Sequence, residues 1–383
     1  MPTKTNWKNQ SAFGLLACLV IFSNSLPGAA VPLKVDPVEV KSIMRRVADW
    51  QIDHPPIDGN GGSEHMPYRW TMGALYAGMY PWSLVAGDDK YLNYLKAQCE
   101  ANQWKLGPAA GHHADDQCVG ALYLALYARE KDPGMIEATK AQLDGYLASQ
   151  QTQAPKAGAA WRGPWSWCDA LFMAPPVWAA LSAVTGDPKY IDYMDREWWS
   201  TGGHLYDKDE QLYFRDSNFF GKKESNGKKV FWGRGNGWVL AGLARVLQVM
   251  PKDYPTRVKY EKLFQEMAAK IASLQQEDGL WRASLLDPDR YPVKETSASG
   301  FFCFGLAWGI NQGLLDRKTY LPKVIKAWNA LTACVHPDGK LGNVQPIGAD
   351  PQKVTDDMTE VYGVGAFLLA GTEILKLEEL PQQ

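Results

Sequence analysis

The chain has 383 residues and a formal net charge of −2, with 40 lysines and arginines against 42 aspartates and glutamates. This length suits one large domain or two ordinary ones, and the near-neutral balance argues against a nucleic-acid-binding or membrane-surface protein. The 16 tryptophans stand out beside 17 tyrosines and 12 phenylalanines. Aromatic side chains of this size fill large cores, and their faces also stack on sugar rings.

The N-terminal segment has the pattern of an export signal. Lys4 and Lys8 precede an apolar run over residues 12–22, and Gly28-Ala29-Ala30 supplies the small residues that signal peptidase accepts. We expect cleavage near Ala30 and a periplasmic or secreted protein. No membrane anchor is expected after cleavage, since no later run approaches the roughly 20 apolar residues of a spanning helix. Residues 31–383 are predicted to form a single domain.

The rest of the chain is predicted to be helical. From Asp36 onward, apolar residues recur at spacings of three and four, and alternating strand-like runs are few. The predicted helices, in chain order, are Val38–Trp50, Tyr68–Val85, a helix ending at Cys99, Cys118–Arg129, Ala170–Val184, Gly235–Met250, Tyr260–Leu274 and Phe301–Asn311.

Two sequence motifs recur along the chain. The stretch from Gly87 to Tyr94 returns from Gly186 to Tyr193, and the turn from Gln276 to Trp281 returns from His336 to Leu341. Such self-similarity indicates stacked helical hairpins, about six of them in a chain of this length. We expect an all-α protein in which the hairpins close into a ring. An open superhelical solenoid that binds a partner is the alternative.

One aspartate lies in an unusually aromatic stretch. Asp169 falls within Trp161–Trp178, which contains four tryptophans. Because removal from water disfavours the ionised form, a carboxyl group in such surroundings holds its proton towards neutral pH and can act as a general acid. Asp169 could also simply cap the helix predicted to begin at Ala170.

A second polar cluster, containing His112, His113, Asp115 and Asp116, precedes the helix predicted from Cys118. Two histidines and two aspartates could bind a metal ion. No partner motif with ligand spacing follows, however, and an aspartate at a helix start is ordinarily a cap. We therefore predict no metal and no cofactor, and expect this doublet to supply a second carboxylate for the chemistry.

Three further clusters combine polar and aromatic residues. Arg215 is followed by Asp216, Arg234 lies in a glycine-rich turn between two tryptophans, and Ser297 belongs to a run of small hydroxyl residues. A guanidinium offers a planar fork for a ligand carboxylate, although Arg234 could instead form a structural bridge to an aspartate. The hydroxyl residues could be helix caps alone.

Seven short sequence motifs resemble those of a known family: Arg69–Gly73, Ala114–Asp116, Trp167–Met173, Arg215–Ser217, Trp232–Trp238, Asp278–Trp281 and Glu295–Ser299. In this order, over nearly the whole chain after the signal, they resemble the unsaturated uronyl hydrolases of glycoside hydrolase families 88 and 105, particularly the unsaturated rhamnogalacturonyl hydrolases. The resemblance implies an (α/α)6 barrel, a six-hairpin toroid, as the catalytic domain. This fold agrees with the number of hairpins estimated from the repeats.

The resemblance also implies roles for individual residues. Asp169 matches the family's acid/base residue, and Asp116 matches the second carboxylate, with Asp115 as the other candidate. The side chains expected to contact substrate are Trp70, His113, Asp115, Trp167, Arg215, Arg234, Trp238 and Ser297. Some family members carry a histidine after the acid/base residue; here Arg215 and Asp216 stand in that region.

The implied substrate is an oligosaccharide left by a polysaccharide lyase, with a C4=C5 double bond in its terminal uronic acid. Protonation of C4 and addition of water at C5 would release that sugar. We expect a monomer or a weak homodimer. Two alternatives are a conventional glycosidase that uses two carboxylates on saturated sugars and a non-catalytic carbohydrate-binding protein.

Overall fold

The computed structural model describes residues 35–56, 65–108, 113–151 and 163–377. All of them belong to one compact unit, Leu33–Gln383. The predicted signal peptide, residues 1–30, lies outside the described residues, and the division of the chain at residue 30 stays a prediction.

Thirteen α-helices are formed by the described residues: α1 Pro37–Asp53, α2 Trp70–Val85, α3 Lys90–Ala101, α4 Gly120–Glu130, α5 Glu137–Gln151, α6 Ala170–Met173, α7 Pro175–Thr185, α8 Lys189–Leu205, α9 Gly233–Val249, α10 Arg257–Ser273, α11 Thr296–Asn311, α12 Arg317–Thr332 and α13 Val361–Leu377. Two short strands, β1 Tyr206–Asp207 and β2 Leu212–Tyr213, pair antiparallel with Tyr206 opposite Tyr213. The predicted all-α class is confirmed.

Six helices form a closed inner ring. Helix α2 packs on α4, α4 on α7, α7 on α9, α9 on α11, α11 on α13, and α13 packs again on α2. The outer helices α1, α3, α8, α10 and α12 pack against this ring. The predicted six-hairpin toroid is therefore confirmed, and the open solenoid is not observed.

Small and aromatic residues account for the inner position of these helices. Every residue of α11 except the last, Asn311, is buried, as is every residue of α13 except Lys376. Gly78 of α2 and Gly365 of α13 let the two helix backbones touch, because a side chain at either position would collide with a backbone oxygen of the other helix. A helix that is apolar on all sides is stable only when it is enclosed.

The repeated turn has the same structure in both copies. Gly279 and Gly339 adopt φ values of 93° and 102°, and a Cβ at either glycine would lie 2.6 Å or 2.5 Å from a carbonyl oxygen, that of Lys326 or of Arg46. Both the backbone conformation and the close approach require glycine. This sequence repeat therefore marks a repeated contact between a turn and an outer helix.

One predicted helix is divided in two. The expected helix Ala170–Val184 is α6 and α7, with a break at Ala174. Pro175 and Pro176 lack the N–H groups that would continue the α-helical ladder to the carbonyls of Leu171 and Phe172. The break leaves those two carbonyl oxygens available to other helices.

Candidate active site

The candidate site lies at the end of the ring where the inner helices begin. Asp169 directly precedes α6 and is only 8% exposed, and its side chain makes no capping hydrogen bond. The capping alternative for this residue is thus not supported. Burial raises the pKa of Asp169, while the nearby guanidinium of Arg215, 3.4 Å from the carboxylate, acts in the opposite direction.

The aspartate doublet occupies a short 3-10 turn, Asp115–Gln117, and its two carboxylates have different surroundings. Burial, followed by the charge of Asp169, raises the pKa of Asp115 to about 7. Its Oδ1 is buried without a hydrogen-bond partner. Asp116, by contrast, has Oδ1 3.5 Å from an Nη of Arg69. Asp115, rather than Asp116, is therefore the member of the doublet that is electrostatically coupled to Asp169.

Two residues border Asp115 on the open side of the site. Nδ1 of His113 lies 3.9 Å from an Asp115 oxygen, and the His113 ring tilts against the Trp167 indole at a centroid distance of 5.0 Å. A hydrogen bond from Trp167 opposes the rise in the Asp115 pKa. The structure therefore brings His113, Asp115 and Trp167 together with Asp169, and their contact with substrate stays a prediction. His112 lies outside the described residues.

A backbone link holds Arg215 at the site. The Cys168 amide donates to the Arg215 carbonyl at 2.8 Å, and Trp167 forms an isolated antiparallel bridge with Asp216. An Nη of Arg215 donates to the Asp216 carboxylate at 2.6 Å, while its Nε lies 3.4 Å from Asp169. The side chain is 27% exposed, so part of the guanidinium remains open to the cleft.

The floor of the site is aromatic. Trp70, half-buried, stacks on Tyr362 with ring centroids 5.4 Å apart and meets Trp238 edge-on at 6.0 Å. Trp238 is only 1% exposed and packs beneath, against Phe172 at 4.7 Å and Phe301 at 4.3 Å. Trp70 therefore offers a surface on which a sugar could stack. Trp238 supports that surface and has almost none of its own.

Arg234 occupies a position that differs from the sequence expectation. Its side chain has no exposed surface, and its two Nη atoms donate to the backbone oxygens of Gln345 and Pro346 at 2.8 and 2.9 Å. The guanidinium lies between Trp232 and Tyr362, not between two indoles. Among the described residues no aspartate forms an ion pair with it, and its charge favours ionisation of Asp169. The prediction that the Arg234 guanidinium binds a ligand carboxylate directly is therefore corrected: the side chain is buried and has a positioning role.

Ser297 is buried as well. Its hydroxyl donates to a Glu295 oxygen at 2.6 Å, and the same carboxylate accepts the amides of Ser297, Ala298 and Gln345. Glu295 thus caps α11 and fixes the loop that holds Arg234. The expectation that Ser297 contacts substrate is corrected, because its hydroxyl is buried and donates to Glu295; the cap of α11 is Glu295 and not one of the hydroxyl residues.

Sequence reasoning missed several contributors to the site. Tyr362 donates its hydroxyl to the Gln345 carbonyl at 2.6 Å and stacks on Trp70, yet no motif had singled out either Tyr362 or Gln345. Arg69 was identified from the sequence only as part of the family motif Arg69–Gly73. Backbone carbonyls that anchor an arginine leave no residue-type signature, so only the fold could reveal this arrangement.

In the described ranges, no group of three or more histidine, cysteine, aspartate or glutamate side chains is placed so that it could hold a metal ion. Within the same ranges, no helix is both long and apolar enough to span a bilayer.

Two coupled carboxyl groups, one buried at Asp169 and one partly exposed at Asp115, can hold one proton between them near neutral pH, so one can donate while the other is ionised. Placed beside a partly open guanidinium and a stacking indole at one end of a helical toroid, they define a carbohydrate-processing hydrolase.

Comparison with known proteins identifies the family. A sequence profile of Glycosyl Hydrolase Family 88 matches residues 42–378. An Unsaturated 3S-rhamnoglycuronyl hydrolase of Formosa agariphila is 42% identical over 97% of this chain and 100% of its own length. A protein of the same name from an Alteromonas species is 35% identical over 90% of this chain and 88% of its own. A solved polysaccharide lyase structure has a TM-score of 0.79 and 34% identity, covering 91% of this chain and 99% of that one. The chain belongs to Glycosyl Hydrolase Family 88 and is a glycoside hydrolase that acts on oligosaccharides.

Proposed function

We propose that this enzyme removes the terminal unsaturated uronic acid from lyase-generated oligosaccharides in which a rhamnose follows that uronate. This is the 3S-rhamnoglycuronyl substrate that appears in the names of its relatives. The coupling of Asp169 to Asp115 carries the proposal, because hydration of a vinyl ether needs an acid that keeps its proton near neutral pH. The full-length relatives that share this substrate name support the choice of sugar.

The reaction follows from these groups. The carboxyl proton of Asp169 is transferred to C4 of the double bond, and positive charge develops at C5 and the ring oxygen. Water adds at C5 and returns its proton to Asp169. The resulting hemiketal opens, and the neighbouring sugar leaves. In this scheme Asp115, whose pKa is raised to about 7, shares the proton with Asp169 and takes the place that the sequence analysis gave to Asp116.

Arg215 is the proposed contact for the carboxylate of the uronate. Its guanidinium is partly exposed and lies beside Asp169, whereas both Nη atoms of Arg234 are engaged by backbone oxygens. Replacing Arg215 with lysine keeps the charge but loses the planar fork, so we expect KM to rise more than kcat falls. A larger fall in kcat than rise in KM would assign Arg215 to the chemical step instead.

A single optical assay tests the reaction type. The C4=C5 bond conjugated to the carboxylate absorbs in the near ultraviolet, and hydration removes that absorbance as product forms. A conventional glycosidase would leave the absorbance unchanged at first. A lyase, the activity named for the similar solved structure, would increase it on a polymeric substrate. We expect a decrease with an unsaturated uronyl-rhamnose disaccharide.

Variants separate catalysis from binding in the same assay. Asp169→Asn should reduce kcat by about 10³-fold or more, because a group that transfers a proton in the transition state cannot be replaced by an amide. Asp253→Asn, at an exposed position far along the chain, is the matched control and should keep full activity. Turnover by Asp169→Asn at the wild-type rate would rule out the proposed acid. A non-catalytic binding protein would show no turnover in any variant.

Export and assembly are proposed on the sequence pattern alone. Cleavage near Ala30 should give a mature chain beginning close to Val31, which N-terminal sequencing of protein recovered from cells and medium would identify. Light scattering on that mature protein should give the mass of a monomer or of a weak dimer whose fraction falls on dilution.

A further inference from the structure

A cavity of about 650 Å³ lies at the end of the ring opposite Asp169. Its walls come mainly from the later residues of all six inner helices, such as Tyr80 of α2, Ala125 of α4, Ala183 of α7 and Arg245 of α9. The site residues Trp70 and Arg234, by contrast, lie in the first turns of α2 and α9. The ring therefore has two separate recesses, and the proposed reaction uses only one.

An aromatic layer divides the two recesses. Phe172, Trp238 and Phe301 contact one another with ring centroids 4.3 to 5.3 Å apart, and all three are buried. On one side of this layer, Trp238 contacts Trp70 at the floor of the active site. On the other side, Phe172 contacts Arg245. A ligand in the opposite cavity would be separated from the substrate by this layer.

Arg245 is the unusual residue of the cavity. One Nη donates to the Phe172 carbonyl at 3.0 Å, which Pro176 leaves without its helical partner, and the guanidinium lies 4.3 Å above the Phe172 ring. It forms no ion pair with a carboxylate of the described residues, and burial lowers its pKa. A largely buried cation without a counter-ion is costly, and an arriving anion would remove part of that cost.

The remaining charges at the cavity do not supply that anion. Glu373 is 3% exposed, and its two oxygens accept from Lys376 at 2.6 Å and from Asn311 at 2.7 Å. Lys131 and Lys376 add positive charge among the lining residues. Much of the rest of the wall is apolar, formed by alanines with valine, proline and tyrosine side chains. An apolar chamber with an uncompensated guanidinium suits a ligand that has an apolar body and one anionic end.

We propose that this cavity binds an amphipathic carboxylate, with its carboxylate on Arg245 and its apolar body against the alanine wall. The ligand is recognised by a charge-assisted hydrogen bond to the free edge of the guanidinium and by burial of apolar surface. This site is distinct from the sugar site and is independent of which uronate the enzyme hydrolyses.

Isothermal titration of the full-length mature protein with decanoate, below its micelle concentration, tests the proposal. We expect saturable binding of one decanoate per chain. Arg245→Gln should weaken it by roughly tenfold or more, corresponding to about 1.4 kcal/mol. Decanol, which lacks the charge, should bind more weakly than decanoate and equally to both proteins. Arg290→Gln, at an exposed arginine, is the control and should leave decanoate binding unchanged.

Because Arg245→Gln also removes the hydrogen bond to the Phe172 carbonyl, a second variant tests the cavity while that hydrogen bond is kept. Ala125→Phe places an aromatic ring in the chamber and leaves Arg245 unchanged, and it should weaken decanoate binding while the hydrolytic rate on an unsaturated disaccharide stays near wild type. Decanoate should not compete with that disaccharide. Binding that is non-saturable, that is unaffected by both substitutions, or that competes with the disaccharide would overturn the proposal.

Discussion

Replacing Asp115 with asparagine should change how stability depends on pH. The folded protein holds the Asp115 proton up to a pKa of about 7, against an ordinary value of 3.8. A carboxyl group whose pKa is raised by folding favours the folded state when protonated. That contribution is therefore present below about pH 4 and is lost as the pH rises to about 7. The difference corresponds to roughly 4 kcal/mol at about 1.4 kcal/mol per pH unit.

The expected effect is smaller than that limit. The side chain is 23% exposed, and its proton is shared with Asp169, so solvent and coupling together reduce the change to about 2 kcal/mol. Asparagine has no proton to lose and cannot show this loss. Relative to wild type, Asp115→Asn should therefore gain about 2 kcal/mol of unfolding free energy on going from low to neutral and alkaline pH.

Urea unfolding of both proteins at about pH 4 and about pH 8 measures this double difference, since groups common to both cancel. Asp116→Asn provides the comparison within the doublet, because its carboxylate lies beside Arg69 and not in the coupled pair. It should keep the wild-type pH dependence more closely. If Asp116→Asn removes the pH dependence and Asp115→Asn does not, the assignment of the coupled carboxyl to Asp115 is refuted.

Two further substitutions test how the site and the ring are held. Glu295→Gln should lower the unfolding free energy by about 1–3 kcal/mol and loosen the loop at Gln345, because an amide cannot accept all four of the donors that the carboxylate satisfies. A wild-type melting temperature would contradict this. Gly279→Ala should cost more than Gly186→Ala, by roughly 1–3 kcal/mol, since both have positive φ but only Gly279 lies against a backbone carbonyl, that of Lys326. Equal decreases in melting temperature for the two variants would show that the contact with the Lys326 carbonyl does not matter for stability.

Much of the fold could be predicted because its signals are local or repeated. The helix expected at Gly235–Met250 is observed at Gly233–Val249, and the recurrence of the Asp-Gly turn indicated the hairpin count. The break between α6 and α7 was missed although Pro175 and Pro176 announce it, because the apolar periodicity continues across the two prolines.

The site was predictable in its residue types and less so in its contacts. An acid surrounded by tryptophans is evident at Asp169, and its burial agrees with that pattern. Which aspartate of the doublet couples to it depends on the orientation of a 3-10 turn, and the partners of Arg234 lie more than 100 residues away on a loop. Long-range contacts to backbone oxygens depend on the ring closure and are not encoded in any local motif.

The inner helices run in the same direction, so their positive N-terminal ends lie at one end of the ring and their negative C-terminal ends lie at the other, where basic side chains offset them. The active site lies where the helices begin, and Lys131, Arg245 and Lys376 are gathered where they end. Helix N-termini favour anions, so the first end suits a uronate. The same dipoles would favour ionisation of Asp169, yet its pKa is raised, because the loss of water outweighs them. The site can therefore attract an anionic sugar and still keep the acid protonated, provided that Asp169 stays buried.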